Sequence, residues 1–398
     1  MMLEAEKLFR RSFLCPPTYT VRVPGSVEML GSLAQWSQGL ALAVALNATV
    51  DVSVSARFDG RVQLATDAGA VSPSFWISDL EVTTGAVEEQ MLRRLLVLLR
   101  QRGVHFNGFN MALTAPRWVG LGLGFGAATL LGMALAVRQL HPYRLTDTGI
   151  LRPPRRDTRA RLPSLGAKEK LSLAKLCAEA GREWEPLENR LHFITPLFAK
   201  AWHVVAYDAL HESVHLVPTS GTVALVVSDP RQPDGCHLPE YDRLRASLSA
   251  ASVALRLKSL RHADADVVRR GQGRLSDAEY CAASHMVGEN RRVVLAERAL
   301  ADNDWHQFAL LLRESHSSAR DFLGGQSAEM DCLSGLAAHI PGIIATRAVG
   351  GGFEAPVVHW VLMTAFQHFG QRLQKAYLQA AGRHVPVLAS LVGGNVDR

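Results

Sequence analysis

The chain has 398 residues, 48% hydrophobic and 20% charged, enough apolar content for a sizeable core and enough length for two domains. A formal charge of +6 raises nucleic acid as a partner, but much of the surplus gathers in one place: Arg152, Arg155, Arg156, Arg159, Arg161, Lys168 and Lys170. Pro153, Pro154 and Pro163 interrupt that run and no aromatic residue is interleaved with the arginines, so it reads as a solvated linker, not a platform for stacking bases, and nucleic acid is excluded as a partner.

The first residues, 1–13, alternate charged and apolar side chains where a secretion signal needs an uninterrupted apolar stretch. Residues 19–24 and 40–56 read as strands, the second with the alternating Val50, Val52 and Val54 of a half-buried sheet. Phe58, Asp59 and Gly60 then turn the chain into a further strand at 61–66, which predicts a hairpin. Residues 86–103 carry Met91, Leu95, Leu96, Leu98 and Leu99 at helical spacing, with Gly103 as the stop. A strand at 106–114 leads to the most apolar segment, 119–137. Its glycines at 120, 122, 124 and 126 suit a loop opening a buried helix that runs to about Leu140 better than a lipid-facing span, so no membrane is expected. Strands follow at 203–218 and 222–228, and helices at 240–260, 276–301, 304–318 and 328–338. Strands at 343–349 and 356–364, a helix at 365–381 and a strand at 385–391 close the chain. Such alternation of antiparallel sheet and helix is an α+β signature, with a boundary between 190 and 210. Cys15, Cys177, Cys236, Cys281 and Cys332 show no CxxC or Cys/His spacing, the pattern of a reduced, cytoplasmic protein without a structural metal.

Three ordered segments carry a family resemblance: VPGSVEMLGSLAQWSQGLALAVALN (23–47), GLGLGFGAATLLGMALAV (120–137) and TRAVGGGFEAPVVHWVL (346–362). They resemble the opening signature, the phosphate loop and the late glycine segment of the galactokinase branch of the GHMP (galacto-, homoserine, mevalonate and phosphomevalonate) kinases. Pro24, Gly25, Gly31, Gly39 and Leu40 fall in register with the first. LCAEAGREW (176–184) and FAKAWHVVAYD (198–208) are similar to the elements flanking the family's catalytic segment. HMVGENRRV (285–293) and SHSSARDFLGGQSAEMDCL (315–333) resemble two helices of its second domain. The resemblance runs from about residue 20 to 390. It implies a two-domain α+β fold, with an N-terminal unit (1–200) of mixed sheet and helices and a C-terminal unit (201–398) of antiparallel sheet covered by helices.

It also implies ATP and magnesium as cofactors. The family supplies backbone N–H groups at a helix N-terminus for the phosphates, a hydroxyl or carboxylate for magnesium, and an Asp with an Arg beside the attacking hydroxyl. The backbone part persists here: Gly120, Gly122, Gly124, Phe125, Gly126 and Ala127 form the expected cofactor loop. The side-chain part departs. Gly124, Phe125 and Gly126 stand where the family has serines, so the magnesium hydroxyl is missing and a phenyl ring stands in the phosphate space. The family's Arg corresponds to Ser26, and its sugar-holding Glu, His and Asp correspond to Ser32, Leu33 and Gln35. The catalytic Asp falls on His192 counting back from Asp208 and His203, or on Phe193 counting forward from Cys177; Glu188 is the nearest acid. Gly351 and Gly352 persist in the third segment as substrate-side residues, but Glu354, Ala355 and Pro356 follow. Glu354 is either a new magnesium ligand or drift, and Glu28 stands where the family has Asn.

The expectation is therefore a galactokinase-like protein without phosphoryl transfer, a pseudokinase acting through a nucleotide-like or sugar-like ligand or a protein partner. The alternative is an active kinase of altered substrate, a galactose-like sugar or small alcohol, using His192 or Glu188 with Glu354. Non-kinase chemistry with His192 and Glu28 as an acid–base pair is a third possibility, supported only by the presence of those side chains.

Overall fold

The computed structural model describes residues 2–67, 74–80, 85–116, 122–151, 164–184, 189–230, 238–324, 327–350 and 356–393. Its elements begin with α1 (Glu4–Phe13), β1 (Tyr19–Leu30), β2 (Leu40–Ala56), β3 (Arg61–Thr66), β4 (Phe75–Trp76), α2 (Val87–Gln101), β5 (Phe109–Thr114) and α3 (Phe125–Leu140). Then come β6 (Arg144–Leu145), β7 (Ile150–Leu151), α4 (Ala167–Ala180), α5 (Arg190–Phe198), β8 (His203–Asp208), β9 (Ser213–Pro218), β10 (Val223–Ser228) and α6 (Leu238–Ala254). The rest is α7 (Ala265–Arg270), α8 (Asp277–Ala301), α9 (Trp305–Leu323), α10 (Ala328–Ala338), β11 (Ile343–Ala348), β12 (Val357–Leu362), α11 (Phe366–Ala381) and β13 (Val387–Leu391).

The alternating apolar residues of β2 make it the spine of the larger sheet, ordered β4-β3-β5-β2-β8-β9 with β1 also paired to β2. Its length allows its first residues, Leu40–Ala43, to pair with β8 while Asp51–Ala56 pair with β5, both antiparallel. The β3–β5 pair is parallel, so this sheet is mixed. The smaller sheet, β11-β12-β10-β13, is antiparallel throughout. β8 and β9 follow residue 200 in the chain yet complete the first sheet.

α3 is buried on nearly all sides, as its unbroken apolar sequence requires, and packs on β1 and β2. Gly132 permits that approach, because a Cβ there would lie 2.8 Å from Val52 Cγ2. No helix among the described residues is long and apolar enough to cross a membrane.

Several elements differ from the sequence expectation for identifiable reasons. β1 continues past Pro24 to Leu30: Pro24 lies opposite Thr49 and Ser26 opposite Ala45, so the irregularity puts the extra residues on β2 and pairing resumes beyond the proline and glycine. The run 203–218 is two strands, folded at Ala209–Glu212 with Glu212 at φ 48°. α6 stops at Ala254, and residues beyond it continue as a short 3-10 turn at Leu260–His262. α1 was not anticipated; it buries Ala5, Leu8 and Phe9 on one face.

Candidate functional site

The site is built where β1 meets the N-terminal ends of α3 and α5. Ser26 and Glu28, two residues apart on β1, project to the same side of the strand and are buried. Asn189 caps α5, its Oδ1 accepting the N–H of Leu191 at 3.1 Å, while its Nδ2 donates to Glu28 Oε1 at 2.9 Å. One residue thus starts the helix and ties it to the strand. The next positions follow from helical geometry: His192 places Nδ1 2.9 Å from Ser26 Oγ, and Phe193 turns into the main core. Of the two residues that sequence counting left open, His192 is the one that faces Ser26.

The described part of the glycine loop lies directly on this pair. Ser26 donates its N–H to the carbonyl of Leu123 at 2.9 Å. Gly124, at φ 62°, precedes α3, and a Cβ there would stand 2.6 Å from Ser26 Oγ and 2.8 Å from His192 Nδ1. Both the backbone angle and the space demand glycine. Gly122 is also left-handed, at φ 95°. The ring of Phe125 presses on Gly25, where a Cβ would be 2.6 Å from Cε1. Phe125 and Ala127 are buried and Gly126 is half-buried. Gly120, Gly351 and Gly352 lie outside the described residues, as do Glu188, Glu354, Cys236 and Arg152 to Arg161.

His192 is 2% exposed, and burial lowers its pKa to about 4, so the imidazole is neutral. Burial also raises the pKa of Glu28, opposed by the hydrogen bond from Asn189 and the charge of Arg347. Three buried polar atoms here, His192 Nε2, Glu28 Oε2 and Thr195 Oγ1, have no hydrogen-bond partner among the described residues.

The far end of β1 is charged and bonded throughout. Arg347, at the end of β11, donates to Met29 O (2.8 Å), Ser315 Oγ (3.0 Å), Ser32 Oγ (3.0 Å) and Glu289 Oε1 (3.2 Å). Glu289 on α8 also accepts from Gly31 N–H (2.9 Å), Ser315 Oγ (2.8 Å) and Arg292 Nε (2.7 Å). Those cations hold its carboxyl well below the usual carboxylate range despite its burial. Ser32 therefore spends its hydroxyl on an internal guanidinium. Leu33 is buried in an apolar cluster with Tyr241, Leu244 and Met286, and Gln35 is half-buried in the 3-10 turn Ala34–Ser37. Neither joins Ser26 and His192. Asn189, Glu289 and Arg347 escaped the sequence reading; the i, i+3 pair Glu289–Arg292 and a lone Arg just ahead of the third glycine segment were their only signals.

The described residues at this site supply no cluster of metal-ligating side chains for magnesium triphosphate. The α3 N-terminus meets a phenyl ring and a neutral Ser–His pair, residues 124–126 carry no hydroxyl, and no group of three His, Cys, Asp or Glu among the described residues can hold a metal ion. A buried acid at Glu28 adds nothing for an anion.

No protein-family model matches the chain. It is 26% identical to a galactokinase of Homo sapiens over 385 residues, covering 95% of this chain and 92% of that one. It is 25% identical to a galactokinase of Roseiflexus sp. strain RS-1 over 403 residues, covering 99% and 96%. Among solved structures, Lactococcus lactis galactokinase complexed with galactose superposes at a TM-score of 0.83, with 17% identity and 98% of both chains covered. Methanococcus jannaschii mevalonate kinase superposes at 0.62, with 11% identity, covering 94% of this chain and 98% of that one.

Proposed function

From a chain homologous to galactokinases over nearly its whole length, with the fold of the GHMP kinases, we propose a protein that keeps the kinase scaffold and acts by binding a ligand or partner, without phosphoryl transfer. The observation that carries it is the buried, uncharged contact between Ser26 and His192, sealed by Gly124 and Phe125. Phosphoryl transfer is positioning plus neutralisation of negative charge. At the two positions matched to the family's Arg and Asp, this chain offers a hydroxyl and a neutral imidazole already bonded to each other. A base whose pKa is about 4 and whose ring is buried has little driving force to take a proton from an alcohol at pH 7. The sugar side is changed in the same sense, since the hydroxyl of Ser32 is committed to Arg347 and Leu33 to the core.

The L. lactis relative is a complex with galactose, and a Streptococcus pneumoniae phosphomevalonate kinase of TM-score 0.62 and 10% identity is a complex with phosphomevalonate and AMPPNP. Nucleotide and galactose are therefore the ligands to try first. Melting temperature measured with ATP, magnesium and galactose, singly and together, tests the proposal, because a ligand at 100 times its Kd adds about 2.7 kcal/mol to stability. The expected result is that magnesium adds nothing to whatever shift ATP gives. A large ATP shift that requires magnesium would mean a rebuilt triphosphate clasp and would sink the proposal.

A further inference from the structure

Two buried carboxyls, Glu28 on β1 and Glu289 on α8, feel the charge of Arg347, and the chain provides for them unequally. Glu289 accepts from the guanidiniums of Arg292 and Arg347, from the N–H of Gly31 and from Ser315 Oγ. Glu28 has only neutral donors: Asn189 Nδ2, at 2.9 Å from Oε1, and the hydroxyl of Ser32. Its Oε2 has no hydrogen-bond partner among the described residues. Arg347 reaches it across Ser32, whose Oγ accepts Arg347 Nη2 at 3.0 Å and keeps its own proton to give to Glu28.

The other ionisable groups around this pair act at one remove. Arg292 lies on the far side of Glu289, 2.7 Å from its Oε2. His285 on α8, His316 on α9 and His192 on α5 are neutral at pH 7, because burial lowers each to about 4. The stretch of β2 opposite Glu28, Leu42 to Ala45, brings no ionisable side chain. An ionised carboxylate accepts on both oxygens and, taken out of water without a cation in contact, costs far more than the neutral acid. A second negative charge beside the same guanidinium adds repulsion. The contacts therefore give the charge to Glu289 and the proton to Glu28.

We propose that Glu28 is a proton-binding site, a neutral carboxylic acid in the folded protein at pH 7 that gives up its proton only when Glu289 no longer neutralises Arg347. The two carboxyls hold one negative charge between them, so charge lost on α8 reappears on β1. The assignment stands whatever ligand the protein takes.

Infrared difference spectra of the full chain at pH 7, wild type minus Glu28→Gln, test it. The substitution keeps the size of the side chain and its acceptor for Asn189 while removing the proton-carrying oxygen. The expected difference is the absorption of one protonated carboxyl in the wild type; a carboxylate absorption in its place would overturn the proposal. Unfolding gives an independent readout. Above pH 4.5, the ordinary value that applies to Glu28 in the unfolded chain, the folded state binds one proton more at this residue, so the stability it contributes falls as pH rises. The folding equilibrium constant of the wild type relative to Glu28→Gln is expected to drop about tenfold per pH unit between about pH 5 and 7. A ratio that stays level or rises would contradict it. In Glu289→Gln, which keeps an acceptor for Gly31 and Ser315, the protonated-carboxyl absorption disappears at pH 7, and its persistence would show that the two carboxyls share no charge. The Glu28→Gln comparison decides where the proton sits even if Glu289→Gln does not fold.

Discussion

Two ends of one strand set the terms of this molecule. At Ser26 and Glu28, β1 faces a buried polar centre whose imidazole is neutral at pH 7 and in which three atoms have no hydrogen-bond partner among the described residues. At Met29 to Ser32, the same strand meets Arg347, Glu289 and Arg292, equally buried but charged, with four bonds to Glu289 alone. Both lie at contacts between distant parts of the chain. The difference is that the second network joins β1 to α8, α9 and β11 through ion pairs, whereas the first joins β1 to α5 through the Ser26–His192 and Asn189–Glu28 hydrogen bonds.

The sharpest way to break this contrast is to remove Glu289. Glu289→Ala leaves two buried guanidiniums without their counter-ion and is expected to cost about 3–5 kcal/mol in urea unfolding. Replacing Glu289 and Arg347 together by methionine recovers part of that loss; no recovery would mean that shape, not charge balance, dominates there. At the Ser26 end, Phe125→Ala opens a void over Gly25 and costs about 3 kcal/mol, checked by the same unfolding curves. A near-neutral result would show that the ring does not seal the loop. The Ser26 end also responds to acid, through His192. Folded His192 stays neutral to about pH 4 while the unfolded chain protonates near 6.5, so the unfolded state binds more protons between those values. Stability therefore falls as pH drops from 6.5 to 4, by at most about 1.4 kcal/mol per pH unit for this group, and His192→Asn flattens the slope accordingly. His285 and His316, also lowered to about 4 by burial, keep their share of the slope in that variant. The smallest effect belongs to Asn189→Ala, which removes a helix cap and the bond to Glu28 for about 1–2 kcal/mol in thermal unfolding.

Much of the fold was legible because its signals are local. β2 was read at its observed limits, 40–56, from alternating valines, and α3 from an apolar run behind glycines. α5 was missed because nine residues with Pro196 inside give no helical signature; tertiary packing forms it. The site was legible only as a set of substitutions. That Ser26 and His192 touch is a contact across 166 residues, and no spacing rule reports it. The commitment of Ser32 to Arg347, 315 positions away, was invisible for the same reason.

Release of ADP by the purified full chain, given magnesium, ATP and galactose at saturating concentrations, tests the central claim most directly. The sealed centre, with its neutral Ser26–His192 pair, predicts a rate no greater than that of buffer alone. Turnover near the 1 s⁻¹ lower bound of ordinary enzymes, abolished by His192→Ala, would contradict it.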